Sequence, residues 1–180
     1  MNSPTDRSQI TLTTKRGRSV QIRHTTPDDS PLLVDLYHRL SPETRRLRFF
    51  TALPDLPDAV LLRHARAMTN FEPELQAMLI ALVVEEGETR AVGVVHVARE
   101  RNDPGTAELA IVIRDDYQRE GLGAAMLDLL IQIALVRGIK RLRAVSMAAN
   151  VGIQQLIRRL GHPVKTHIAH GEIEQVIALA

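Results

Sequence analysis

The chain has 180 residues, 44% of them apolar and 24% charged, a balance that excludes a disordered or fibrous class and suits one domain of the usual roughly 100–200 residues. Its 23 Lys+Arg nearly cancel its 21 Asp+Glu, so no whole-molecule field selects nucleic acid or an anionic membrane as partner. Cysteine is absent, which excludes disulfides, thiolate metal sites and transfer through an acetyl-cysteine.

Residues 1–8 are polar and read as a flexible terminus ahead of one domain over residues 9–180. Met1-Asn2-Ser3-Pro4-Thr5-Asp6 lacks a basic-then-apolar signal pattern, and no run approaches the ~18 apolar residues of a membrane span, so a cytoplasmic location is expected. Gln9–Thr14 and Ser19–Thr25 alternate around Lys15-Arg16-Gly17-Arg18, the pattern of a hairpin whose glycine takes the turn. Pro27-Asp28-Asp29 then starts a helix bearing Leu32, Leu33, Leu36, Tyr37 and Leu40 at helical spacing. Ser41, followed by Pro42, caps a second helix over Thr44–Phe50, and a third is predicted over Ala59–Met68 beyond a Pro-rich bend at 54–57, too short for a linker.

From Met78 the period changes. Met78–Val84 and Val92–Ala98 are nearly continuous apolar runs about the turn Glu85-Glu86-Gly87-Glu88, and read as paired central strands. Asn102-Asp103-Pro104-Gly105 turns into the strand Ala107–Ile113, which contains a single acid, Glu108. A helix over Leu122–Arg137 follows, then a strand over Arg141–Met147, a helix over Asn150–Leu160 closed by Gly161, and a hairpin of Thr166–Ala169 with Glu172–Leu179.

Between the Ala107–Ile113 strand and the long helix lies Gln118-Arg119-Glu120-Gly121-Leu122-Gly123-Ala124. A glycine loop at a helix N-terminus gathers unpaired N–H groups and the positive end of the helix dipole, a setting for phosphate. The Walker pattern fails because Ala124-Ala125 stand where Lys-Ser/Thr is needed. The dinucleotide fingerprint fails at Met126 and at Lys140-Arg141, where an acid belongs. On its own the loop is equally a tight strand-to-helix turn with no ligand.

Gln118-x-x-Gly121-x-Gly123-Ala124, with Asn150 and Leu160-Gly161 downstream, resembles the coenzyme A motif of the GNAT acetyltransferase superfamily. Leu40-Ser41-Pro42-Glu43-Thr44, Leu47-Arg48-Phe49-Phe50, Ala107-Glu108-Leu109-Ala110, Arg114-Asp115-Asp116 and Met147-Ala148-Ala149-Asn150 resemble bacterial Pat-type protein lysine acetyltransferases across about residues 20–178. The resemblance implies a mixed α/β GNAT fold: a mostly antiparallel sheet, splayed at the coenzyme site, with helices on both faces. It also implies acetyl-coenzyme A as co-substrate, with backbone N–H groups of Arg119, Glu120, Gly121, Leu122, Gly123 and Ala124 on the pyrophosphate. Ile111, Val112 and Ile113 would pair with the pantetheine arm, and Asn150 would lie near the thioester. Arg158 or Arg159 is a candidate for the outer phosphates by charge, or a solvated residue.

Acyl transfer to an amine needs a proton acceptor, because a free ammonium titrates near about 10. Alternation alone makes Glu108 a solvent-facing strand residue; the resemblance makes it the general base, with partial burial in an apolar strand expected to raise its pKa. The family's thiolate-protonating tyrosine falls at Ile157, leaving the general acid unassigned. Seven histidines form no His-Glu-x-x-His pattern, so no metal is expected, and no Gly-x-Ser-x-Gly elbow surrounds Ser146. Phe49-Phe50 read either as core or as cleft lining. A protein lysine is the expected acceptor; a small amine, or an acyl-coenzyme A sensing module without turnover, are the alternatives.

Overall fold

The computed structural model describes residues 9–50 and 56–179; the expected loose N-terminus at 1–8 and the first half of the Pro-rich bend lie outside them. Eight strands form one sheet in the order β1-β2-β3-β4-β5-β6-β8-β7. They are β1 Ile10–Thr13, β2 Ser19–His24, β3 Gln76–Glu85, β4 Glu88–Arg99, β5 Thr106–Ile113, β6 Arg141–Met147, β7 Val164–Ala169 and β8 Glu172–Ala178. The helices are α1 Ser30–Arg39, α2 Pro42–Phe49, α3 Asp58–Thr69, α4 Leu122–Val136 and α5 Val151–Arg159. Every pairing is antiparallel except β5 with β6.

The long apolar run of β3 reflects burial on both faces. Met78, Ile80 and Leu82 pack with Leu36 of α1 and Leu40 just after it, while Ala77, Leu79, Ala81 and Val83 join Met126, Leu127 and Leu130 of α4. Its turn to β4 has two central residues, Glu86 and Gly87, both at positive φ, 53° and 81°, as a two-residue hairpin turn requires. Helices therefore cover both faces, α1 and α3 on one and α4 on the other, and the mixed α/β architecture is the one expected. Ser30 and Thr69 hydroxyls bond at 2.9 Å, joining α1 to α3.

Local signals set the helix starts. Ser41 Oγ accepts the Thr44 N–H at 3.1 Å, and Pro42 follows at the first helical position, the start that the capping pattern implies. It ends where Phe50 turns left-handed at φ 62°.

Candidate active site

β5 and β6 pair in parallel over only three registers, Thr106↔Arg141, Ala107↔Leu142 and Glu108↔Arg143. Beyond Glu108 the strands part. β5 remains bonded to β4 as far as Ile113, which leaves the backbone groups of its other edge facing the gap. A groove of about 690 Å³ occupies that gap, within the usual size of small-molecule sites. Ile111, Val112 and Ile113 wall one side, and Ala144, Val145 and Ser146 the other.

At the wide end stands the glycine loop. Gly121, at φ 89°, is the N-cap of α4, a conformation that a side chain would strain. Gly123 lies close to α5: a Cβ there would come 3.3 Å from Leu156 Cδ2 and 3.6 Å from Ile113 Cγ1. Gln118, Arg119, Gly121, Gly123 and Ala124 all line the groove. Glu120 and Leu122 have side chains turned away, so only their backbones are available to a ligand. Leu122 is fully buried in the core, and Glu120 is held by Arg18 and by Arg16 at 3.5 Å.

That clamp comes from the β1–β2 turn. The Lys15 N–H donates to the Glu120 carbonyl at 3.0 Å, and Arg18 also stacks on Tyr117, 3.4 Å from its ring centroid. The Arg18 hydrogen bond holds the Glu120 carboxyl below the usual carboxylate range, against the cost of its desolvation. The turn read from sequence only as a hairpin thus places Lys15 in the groove wall beside Gly121. The basic run Lys15-Arg16-Gly17-Arg18 was the signal available for it. Of the two candidate arginines in α5, Arg159 lines the groove.

Gln118 braces the strand end, its Nε2 donating to Ile113 O at 3.0 Å and Thr44 Oγ1 at 3.4 Å. Asn150 lines the opposite wall and caps α5, its Oδ1 accepting the Ile153 N–H at 3.3 Å. Ile157 is fully buried in the core, whereas its neighbour Leu156 faces the groove. Phe49 and Phe50 divide the two readings of the pair. Phe49 packs on Tyr37 with centroids 5.6 Å apart, and Phe50 lines the groove.

Glu108 stands at the apex where the strands part. Alternation along β5 puts Glu108, Ala110 and Val112 on the face covered by α1–α3, and Leu109, Ile111 and Ile113 on the α4 face. The expected partial burial of Glu108 is corrected: its side chain is 59% exposed and lies 3.4 Å from Arg143 Nη2. The apolar neighbours in sequence point to the other side of the sheet or into the groove, so they do not enclose the carboxylate. Arg143 itself bonds Glu100 at 2.6 Å.

A strand pair that splays open beside a glycine loop at a helix N-terminus is the arrangement that the sequence motifs implied. The sequence profile described as an acetyltransferase (GNAT) domain matches residues 19–162. The chain belongs to the GNAT acetyltransferase family. As such it is an N-acetyltransferase that takes its acetyl group from acetyl-coenzyme A and delivers it to an amine. Among proteins similar to it, Acetyltransferase PA5475 of Pseudomonas aeruginosa is 33% identical over 145 residues, covering 81% of this chain and 75% of that protein. Acetyltransferase Pat of Mycolicibacterium smegmatis is 24% identical over 152 residues, 84% of this chain but 44% of that longer protein. The crystal structure of the GNAT domain of S. lividans PAT shares the fold with a TM-score of 0.82, at 23% identity, covering 98% of this chain and 99% of that one. Among the described residues, no group of three or more His, Asp or Glu side chains could hold a metal ion, and no helix is long and apolar enough to cross a membrane.

Proposed function

We propose that this GNAT enzyme acetylates a protein lysine by direct attack of the amine on the acetyl-coenzyme A thioester, with Glu108 as general base. The observation that carries this reading is the position of Glu108, exposed at the apex of the groove where β5 and β6 part. The amine nitrogen forms a bond to the thioester carbonyl carbon, the C–S bond breaks, and coenzyme A leaves as a thiolate. The proton lost by nitrogen passes to the Glu108 carboxylate, directly or through water.

Coenzyme A would run from the loop to that apex. N–H groups of Arg119–Ala124 and the α4 dipole suit its pyrophosphate, with Lys15 and Arg159 adjacent. The free edge of β5 at Ile111, Val112 and Ile113 suits the pantetheine amides, and Asn150 lies on the facing wall. The lysine acceptor is supported by the resemblance of the Leu40–Phe50 and Glu108 segments to Pat-type enzymes.

Glu108→Gln tests the mechanism: coenzyme A binding is retained and kcat falls about 10²–10⁴-fold, the range of general-base removal. An unaltered pH–rate profile in this variant rules Glu108 out. Thiol release measured with no acceptor, with lysine peptides and with small amines separates a protein lysine acetyltransferase from a small-amine enzyme. A sensing module binds acetyl-coenzyme A and releases no thiol in any arm.

A further inference from the structure

The groove contains one charged side chain beside Glu108 for which acetyl transfer has so far no task. Arg48, in the last turn of α2, lines the groove with Glu108, and its charge acts on both Glu108 and His96. The other arginines of the same run are satisfied nearby: Arg46 bonds Glu43 at 2.8 Å, and Arg45 bonds the carbonyls of His38 at 3.0 Å and Leu40 at 3.2 Å. Arg48 bonds no carboxylate, carbonyl or hydroxyl among the described residues. The ring of Phe49 lies 5.3 Å from its guanidinium carbon.

Burial pulls the Arg48 pKa below the usual arginine range, with Glu108 only partly offsetting it. A half-buried cation that bonds no anion directly and is only partly offset by Glu108 is unfavourable, and a carboxylate arriving with a ligand lowers that penalty. His96 does not supply one. Its Nε2 bonds Gln76 Oε1 at 2.8 Å, and burial, then Arg48, lower its pKa, so the ring is neutral near pH 7.

We propose that Arg48 receives a carboxylate carried by the acceptor, so that the amine acetylated here has an acid group close to it. This rests on the acetyl-transfer reading and names its substrate class. The acid is either a residue beside a target lysine or the carboxylate of a free amino acid. A planar guanidinium fork matches a carboxylate, whereas a phosphate dianion would face a single cation with Glu108 beside it. The phosphates of coenzyme A belong at the other end, near Lys15, Arg119 and Arg159.

Steady-state kinetics with wild type, Arg48→Gln and Arg48→Lys decides it. Lysine peptides with adjacent Glu or Gln form one arm, and free amino acids with their amides form the other. In wild type the carboxylate acceptor is favoured over its amide about 10–100-fold in kcat/KM in at least one arm, the worth of a hydrogen bond to a charged group. That ratio falls to near one in Arg48→Gln, through KM, and is partly restored in Arg48→Lys; the arm that shows it identifies the source. A coenzyme A Kd equal to that of wild type certifies that the variants are folded. A wild-type enzyme that turns over both members of each pair equally overturns the proposal while leaving acetyl transfer standing. So does a kcat loss in Arg48→Gln that is identical for acid and amide, which would place Arg48 on the thioester oxygen. No thiol release from wild type with any acceptor removes the transfer reading and this inference together.

Discussion

Asp115 holds the N-terminus of α2 against the turn that leads to the glycine loop: its carboxylate accepts the Ser41 N–H at 2.9 Å and the Ser41 hydroxyl at 2.7 Å. The Thr44 hydroxyl adds a third bond at 2.6 Å. The helix that carries Arg48 is thereby tied to the segment that leads to the glycine loop.

Asp115→Ala removes all three bonds. For an exposed carboxylate the expected cost is about 1–2 kcal/mol, or a fall in Tm of roughly 2–8 °C for a chain of this size. The acceptor KM should rise more than the coenzyme A Kd, because α2 carries Arg48, the residue proposed to meet the acceptor. Thermal melts with steady-state kinetics check both, and an unchanged acceptor KM contradicts the coupling.

Arg23 grips Asp29 through two bonds of 2.7 Å, and the Asp29 side chain is only 5% exposed. Arg23→Ala leaves that carboxylate buried without its cation, and should destabilise the fold by about 3 kcal/mol at neutral pH. Burial raises the Asp29 pKa, but Arg23 and the Thr26 N–H outweigh it and hold it below the ordinary 3.8. The folded state thus binds fewer protons than the unfolded state, and this stabilisation is complete above about pH 4 and lost as pH falls through the lower folded value. The gap between wild type and Arg23→Ala should accordingly narrow in acid, as urea melts at pH 7 and pH 3 would show.

Arg18 and Glu120 fix the loop from behind, without facing the groove on the Glu120 side. Arg18→Ala should weaken coenzyme A binding by about 3–10-fold by releasing the loop backbone from its preorganised form. Calorimetric titration with coenzyme A measures it. An identical Kd would mean that Gly121 and α4 set the loop without the clamp.

Gly123→Ala directs a methyl group at Leu156 Cδ2, the end of a flexible side chain, so the fold should tolerate it within about 1 kcal/mol. The methyl also approaches Ile111 and Ile113 of the groove wall, and coenzyme A affinity should fall by about 10-fold or more. Gly121→Ala is the converse case: nothing but Lys15 lies near its Cβ, yet φ is 89°, so stability should fall by about 1 kcal/mol or more. Melting and binding curves on the two variants separate space from backbone conformation.

The strands and helices were legible wherever a local pattern specified them. The alternation in β1 and β2, the apolar runs of β3 and β4, Ser41-Pro42 at the start of α2, and Gly121-Leu122-Gly123 at the start of α4 act over a few residues, because periodicity and capping are short-range. The loop could be read as a phosphate setting for the same reason, and the order of the motifs around it resembled a coenzyme A motif. What only the tertiary structure decided lies at long separation. The burial expected for Glu108 failed because β5 and β6 part beside it, and that divergence is a property of two strands rather than of either. Lys15 and Arg18 reach the loop from a turn more than a hundred residues earlier, and Arg48 in the groove bonds no carboxylate, carbonyl or hydroxyl among the described residues although Arg45 and Arg46 beside it are paired. One-dimensional spacing reports which face of an element is apolar; which charges meet across a groove depends on how the elements pack.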